Sequence, residues 1–235
     1  MVPNLQLKML LVIGLTLLFL GIPPSHAAPI TVPSGLNPGD PYRLVFVTRG
    51  QTQATCDNMY YYNRFVTTEA ASVDALWDLK TEWTAIASTA VVDAVSNTET
   101  PWPDVSSSAP VYNLAGELVA LNLHEMFVTS LLAPIATFPR GGSVQGEDDI
   151  VWTGTGRNGN IVGPLGDRWI CTYGRAGEIW EWAQAGCIEP ENAARLYAMS
   201  GVLQTPQPVP APTSIVLLSS GIFGLLGLRR KGRKV

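Results

Sequence analysis

Apolar positions along this chain follow three different rhythms. Residues 9–20 are an almost unbroken apolar run, interrupted only by Gly14 and Thr16, and residues 215–228 form a second run mixed with Ser219, Ser220, Gly221, Gly224 and Gly227. Neither run has a polar face to turn toward water, so both are set apart from the globular part. Between them the apolar runs are short. Residues 42–48 are rich in β-branched and aromatic side chains and predict a buried strand. From 57 to 72, Met59, Tyr62, Phe65, Val66 and Ala70 fall near helical spacing, with Thr55 or Asp57 placed to cap the helix. Residues 83–88 predict a strand, and 97–110 a loop dense in Pro, Ser and Thr. Residues 111–113 and 117–119 read as hairpin arms around Leu114, Ala115 and Gly116. Asn122 with Glu125 three residues on is a capping-box signature for a short helix whose apolar face carries Leu123, Met126, Phe127 and Leu131. A polar, acidic loop (141–149), a strand (150–153), a glycine-rich turn (154–160) and a closing strand (195–202) follow. There is no internal repeat. Short strands, long irregular loops and two main helices predict a single α+β domain.

The two apolar runs read as addresses. Lys8 precedes the first, Pro23 and Pro24 end it, and Ser25-His26-Ala27 places small residues where a signal peptidase reads. Residues 1–27 are therefore expected to be a signal peptide, since the run is shorter than the ~20 residues a membrane span needs. Residues 28–41, rich in Pro, Gly, Ser and Asn, form an extended lead-in to a domain at 42–203. A proline-rich spacer (204–212) then leads to residues 213–235, an apolar helix followed by Arg229, Arg230, Lys231, Arg233 and Lys234. A basic cluster of this kind holds the end of such a helix on the cytoplasmic side. With Val209-Pro210-Ala211-Pro212 ahead of it, the segment resembles the PEP-CTERM sorting signal. Ala211 stands where that signal usually has Glu. The resemblance implies transient anchoring in the inner membrane of a Gram-negative-type bacterium, handling by an exosortase-type protease, and delivery to the cell surface or extracellular matrix.

Charge and cysteines narrow the class. The part between the two ends carries all nineteen acidic residues and nine of the fifteen basic ones, a net charge of −10. Such a balance argues against nucleic acid as a partner. In an oxidising compartment two of the three cysteines should bridge. Cys171 and Cys187 are the expected pair, closing a loop of about 15 residues with a gain of roughly 3 kcal/mol in the chain-entropy model. Cys56 is then left as a free thiol. The cysteine spacing does not suit zinc, whose ligands come in close pairs.

A second resemblance runs through the domain. Ala109-Pro110-Val111-Tyr112-Asn113-Leu114, then Gly116-Glu117-Leu118, the helix with Met126-Phe127, and Val151-Trp152-Thr153-Gly154 with Asn158-Gly159 follow one another as in the endostatin module of collagens XV and XVIII. Around these blocks, Cys56 precedes the long helix, Trp83-Thr84-Ala85-Ile86 takes the place of the next strand, and Cys171 and Cys187 fall where the family's inner disulfide lies. Coverage is about residues 42–203. The resemblance implies a C-type-lectin-like fold. The chain departs from the family at Gly201, near which the outer disulfide partner of Cys56 is expected. It also lacks a counterpart of the N-terminal histidine zinc site, and its acidity sets it apart from a heparin-binding surface.

Chemistry-bearing residues are sparse. His124 is the only histidine after residue 27 and lies within a capped helix, where a surface or packed role is the ordinary one. Glu147, Asp148 and Asp149 form the densest acidic run and are the candidate for Ca²⁺, yet they lack the alternating oxygen spacing of a calcium loop and read first as a solvated loop. Glu189-Pro190-Glu191-Asn192 does not reproduce the Glu-Pro-Asn of sugar-binding lectins. The 154–160 turn lacks the Lys-Ser/Thr of a phosphate loop. Trp180 and Trp182, with Arg157 and Asn158, are the candidate ligand surface, set against ordinary core packing for the tryptophans. No catalytic constellation and no cofactor motif is found. The expected function is a non-enzymatic binding or adhesion module for exopolysaccharide or another surface protein. The alternatives are a secreted hydrolase of matrix polymers using a carboxylate pair, and a purely structural surface-layer component.

Overall fold

The computed structural model of the chain describes residues 28–99, 109–144 and 146–208. The expected signal peptide and the sorting segment, including Val209, Pro210, Ala211, Pro212, Arg229, Arg230 and Lys231, lie outside the described residues, as do the side chains of Glu147 and Asp148. In chain order the elements are β1 (Pro41–Val47), α1 (Met59–Ala71), α2 (Asp74–Trp77), β2 (Trp83–Ala85), α3 (Ala94–Asn97), β3 (Val111–Asn113), β4 (Leu118–Ala120), α4 (Leu123–Val128), a 3-10 turn (Gly146–Asp149), β5 (Ile150–Trp152), β6 (Cys171–Arg175), β7 (Gly186–Ile188), β8 (Arg195–Ser200) and β9 (Leu203–Gln204). The fold is α+β, with one mixed sheet at its centre.

β1 is the spine. It pairs parallel with β3 through Leu44 and Tyr112, and antiparallel with β8 through Phe46 and Ala198. Its residues from Tyr42 to Val47 are all buried, as a strand covered on both faces requires. Leu44 and Phe46 face a cluster with Met59, Tyr62, Val66 and Ala70 of α1, Trp152, Leu196 and Ala198. Val45 and Val47 face the opposite cluster, with Leu123, Met126 and Phe127 of α4, Val151, Trp182, Tyr197 and Met199. The two-residue alternation of the strands thus sorts the core into two layers, and each large apolar side chain so buried contributes about 1.5–3 kcal/mol. The other side of β8 holds two short strands end to end: β2 against Ala198 to Ser200, and β5 against Arg195 and Leu196. β6 and β7 extend the sheet from β5, both antiparallel.

β9 returns to the start of β1, where Tyr42 faces Leu203. Between β8 and β9 the register on β1 steps by one residue. There the Ser200 hydroxyl accepts from Leu44 N at 2.9 Å and donates to Gly201 O at 2.7 Å, satisfying groups the broken ladder leaves. The buried Arg43 guanidinium donates to Thr98 O at 3.2 Å and Ser200 O at 3.1 Å. Burial pulls its pKa down, opposed by Glu99.

The hairpin and the Asn122 cap match the sequence reading: β3 and β4 pair antiparallel, and Asn122 Oδ1 accepts from Glu125 N at 2.8 Å. The cap of α1 is Asn58, whose side chain accepts from Tyr60 N at 3.0 Å, and not Thr55 or Asp57. α2, α3 and β7 are elements the apolar pattern does not announce. They are three or four residues long, too short to show a period.

Candidate ligand-binding surface

The two ends of the domain leave from one place. Gly39 N donates to Thr205 O at 3.1 Å and Thr205 N to Asp40 O at 3.0 Å, and the Thr205 hydroxyl also donates to Asn37 O. The lead-in and the spacer therefore emerge side by side at the foot of β1. From there β1 carries the chain about 20 Å, at roughly 3.3 Å per residue, to Val47. Past that far end, Thr52 bridges to Ala194 just before β8, and segment 52–57 follows.

Trp152 anchors this segment by donating from Nε1 to Thr52 O at 2.9 Å. On one flank Ala54 N donates to Pro190 O at 2.8 Å, and on the other Gly166 N donates to Ala54 O at 2.7 Å. Gly166 has φ +87°, and a Cβ placed there would lie 2.5 Å from Asp57 Cα, so only glycine lets the 164–170 loop come this close. Asp167 Oδ1 accepts from Trp169 N at 2.8 Å, fixing the backbone that presents this tryptophan. Trp169 is 80% exposed and Ile170 follows it at the surface. Across the junction, the first turn of α1 presents Tyr60, 69% exposed, and Tyr61, whose hydroxyl lies 2.8 Å from the Thr52 hydroxyl.

The residues singled out from sequence divide. Trp180 is 61% exposed, whereas Trp182 is 3% exposed and belongs to the core. Its ring packs on Phe127 at 5.7 Å and on Tyr197 at 5.9 Å, and its carbonyl accepts from the Tyr197 hydroxyl at 3.0 Å. Trp182 is thus withdrawn from the candidate surface. Strand alternation puts residues two apart on one face, but 179–183 is a series of bends, which turns Trp180 outward and Trp182 into the core. Arg157 and Asn158 are exposed at the tip of the glycine turn. That turn is closed by Gly156 N to Asn160 O at 2.8 Å, and its Gly159 backs onto Val95 and Phe127. Trp169, the most exposed tryptophan described, escaped the sequence reading. Its only local signal is the Gly166-Asp167 turn that precedes it.

The expected Cys171–Cys187 disulfide is absent, and all three cysteines are free thiols. On the β6–β7 ladder Cys171 faces Ile188, and Cys187 faces Thr172. The two thiols therefore point to opposite faces of the sheet. Cys171 is buried, with Sγ 3.1 Å from Pro164 O, and burial pushes its pKa up to about 11. Cys187 is exposed, 3.6 Å from the Thr172 hydroxyl. Cys56 is half-buried beside Tyr62, whose hydroxyl donates to Cys56 O at 2.7 Å.

Asp149, one of the three acids considered for Ca²⁺, pairs with Arg175 at 2.9 Å. A carboxylate held by a guanidinium is a poor start for a cation site. Among the described residues no group of three or more His, Cys, Asp or Glu converges to hold a metal. Arg195 and Arg49 both lie over the Phe138 ring, at 4.9 and 5.6 Å, and Arg195 also donates to Thr48 O at 3.2 Å and to Arg49 O, fastening the far end of β1. His124 sits half-buried as the second residue of α4. Among the described residues no helix is long and apolar enough to cross a membrane. No protein-family model matches the chain, and no curated protein matches it.

Proposed function

We propose that this chain is an exported, surface-displayed, non-enzymatic binding module: an endostatin-like, C-type-lectin-like domain held by its C-terminal spacer and presenting a ligand surface away from that tether. One observation carries the reading. Both ends of the domain leave beside each other at the foot of β1, where Gly39 and Thr205 are hydrogen-bonded, while the exposed rings of Tyr60 and Trp169 flank the segment past the opposite end of the strand. A module tethered at one end and sticky at the other is suited to adhesion. The apolar runs at residues 9–20 and 215–228, the latter with its basic tail, supply the export and sorting context. The antiparallel pairing of the opening strand with the closing strand, with α1 packed on one face, supports the lectin-like reading of the fold.

The non-enzymatic part of the proposal is supported by the one cysteine buried in the core. The Cys171 thiol is buried and its pKa raised, so it stays protonated at neutral pH and is a poor nucleophile. The test is fractionation of a Gram-negative host that makes an exosortase-type protease and expresses the full chain. Protein found outside the inner membrane, starting at residue 28 and shortened near residue 212, is the expected result. An unprocessed chain in the cytosol overturns the proposal.

A further inference from the structure

The rings of Tyr60 and Trp169 beside the Gly166–Asp57 contact are exposed, and neither packs against another ring of the domain among the described residues. A single exposed apolar side chain is unremarkable, but here several gather around one backbone junction. Trp169 and Ile170 come from the 164–170 loop, and Tyr60 and Tyr61 from the first turn of α1. The loop and the helix start are locked together, because Gly166 N donates to Ala54 O and the glycine lies flat against Asp57. The Asp167 carboxylate holds Trp169 N, and Asn58 holds Tyr60 N, so both rings sit on backbone fixed before any ligand arrives. Asp57 and Asp167 stand at the junction between them.

We propose that Tyr60 and Trp169, with the carboxylates of Asp57 and Asp167, form a platform for a neutral polysaccharide. The proposal rests on the binding-module reading above and assigns that module its site and ligand class. A pyranose ring has an apolar C–H face, which stacks on an aromatic face, and a rim of hydroxyls, which donate to carboxylates. Rings and carboxylates brought to one junction offer both. The core of a protein–protein interface is depleted in charged groups, so the same arrangement suits a protein partner poorly. Arg168, exposed between Asp167 and Trp169, is the one cation in the loop; against it stand Asp57 and Asp167, Glu189 and Glu191 on the other flank of segment 52–54, and a domain carrying net −10, which together disfavour an acidic polysaccharide. Preordered backbone lowers the entropy lost on binding, and this compensates for the small number of contacts.

Affinity electrophoresis of the purified full chain tests this, with gels containing galactomannan, mixed-linkage β-glucan or dextran as neutral probes and alginate as the acidic one. Retardation by at least one neutral probe is expected, weakened about tenfold by Trp169→Ala or Tyr60→Ala. Trp169→Phe should keep much of the retardation, and Trp180→Ala all of it. Unchanged thermal melting of the variants separates lost binding from lost folding. If Trp180→Ala abolishes retardation and Trp169→Ala does not, the platform is wrong while the binding module stands. Retardation by alginate alone, or by no probe, overturns the ligand class. Capture of a surface protein that depends on Trp169, without any glycan binding, overturns it as well.

Discussion

Cys171 and Cys187 sit one position out of step on β6 and β7, so the strand pleat sends their side chains to opposite faces of the sheet. Their sixteen positions of separation close a loop that a disulfide would stabilise, but register decides whether two sulfurs can meet. Three different reactivities follow. In the native protein Cys187 should alkylate quickly, Cys56 more slowly, and Cys171 only on unfolding. Timed labelling with a maleimide, read by peptide mass spectrometry, checks the order. A Cys171–Cys187 cross-linked peptide from material prepared without reductant would falsify it.

Trp180 and Trp182 differ by two residues in sequence and by their whole environment. Trp182→Ala removes a ring wedged between Phe127 and Tyr197 and should cost about 3–5 kcal/mol. Trp180→Ala touches a ring already in water and should stay within about 0.5 kcal/mol of the parent. Urea unfolding followed by circular dichroism distinguishes the two. Equal midpoints would place Trp182 outside the core.

How much of this could be read from the sequence depends on the range of the signal. β1 is legible because all six residues from Tyr42 to Val47 are buried, and a strand buried on both faces leaves an apolar run, broken here only by Arg43. α4 did so because its cap is a local hydrogen bond between Asn122 and Glu125. The platform did not. Tyr60 and Trp169 lie more than a hundred residues apart, and they share a surface only because Gly166 settles against Asp57. No spacing encodes that contact, though a glycine before an aspartate marks a turn. The thiols do not meet for the same reason: the β6–β7 register sets Cys171 opposite Ile188 and Cys187 opposite Thr172, and no spacing between cysteines encodes that.

Gly174 lies in the middle of β6, where glycine is an uncommon strand residue. A Cβ there would run into the Trp182 carbonyl and come within 3.0 Å of Ala183 N. A glycine inside a strand often marks such a backbone approach. Gly174→Ala should therefore lower stability by about 1–3 kcal/mol, the range for overpacking, even though alanine is the smallest substitution available. Gly177, with only Asp149 Oδ2 at 4.0 Å from its Cβ position, is the control and should accept alanine with little change in the unfolding midpoint. Equal tolerance at the two sites would mean that the 176–185 loop does not return to β6.

Burial of acidic hydrogens sets the alkaline limit of the fold. Cys171 is raised from its ordinary 9.0 to about 11, and the phenols of Tyr62, Tyr197 and Tyr42 are also raised, in each case first by burial. A group whose pKa is higher in the folded state holds its proton there while the unfolded chain has already lost it. Unfolding then releases protons, and stability falls as pH rises. For Cys171 the contribution is complete below pH 9 and disappears as pH passes through about 11. Melting temperature should accordingly be flat through neutral pH and fall steeply above about pH 9. Cys171→Ala removes the thiol's share, so its melting curve should fall less steeply between pH 9 and pH 11 than the parent's. Parallel decline of the two proteins across that window would show that the buried thiol does not titrate with folding.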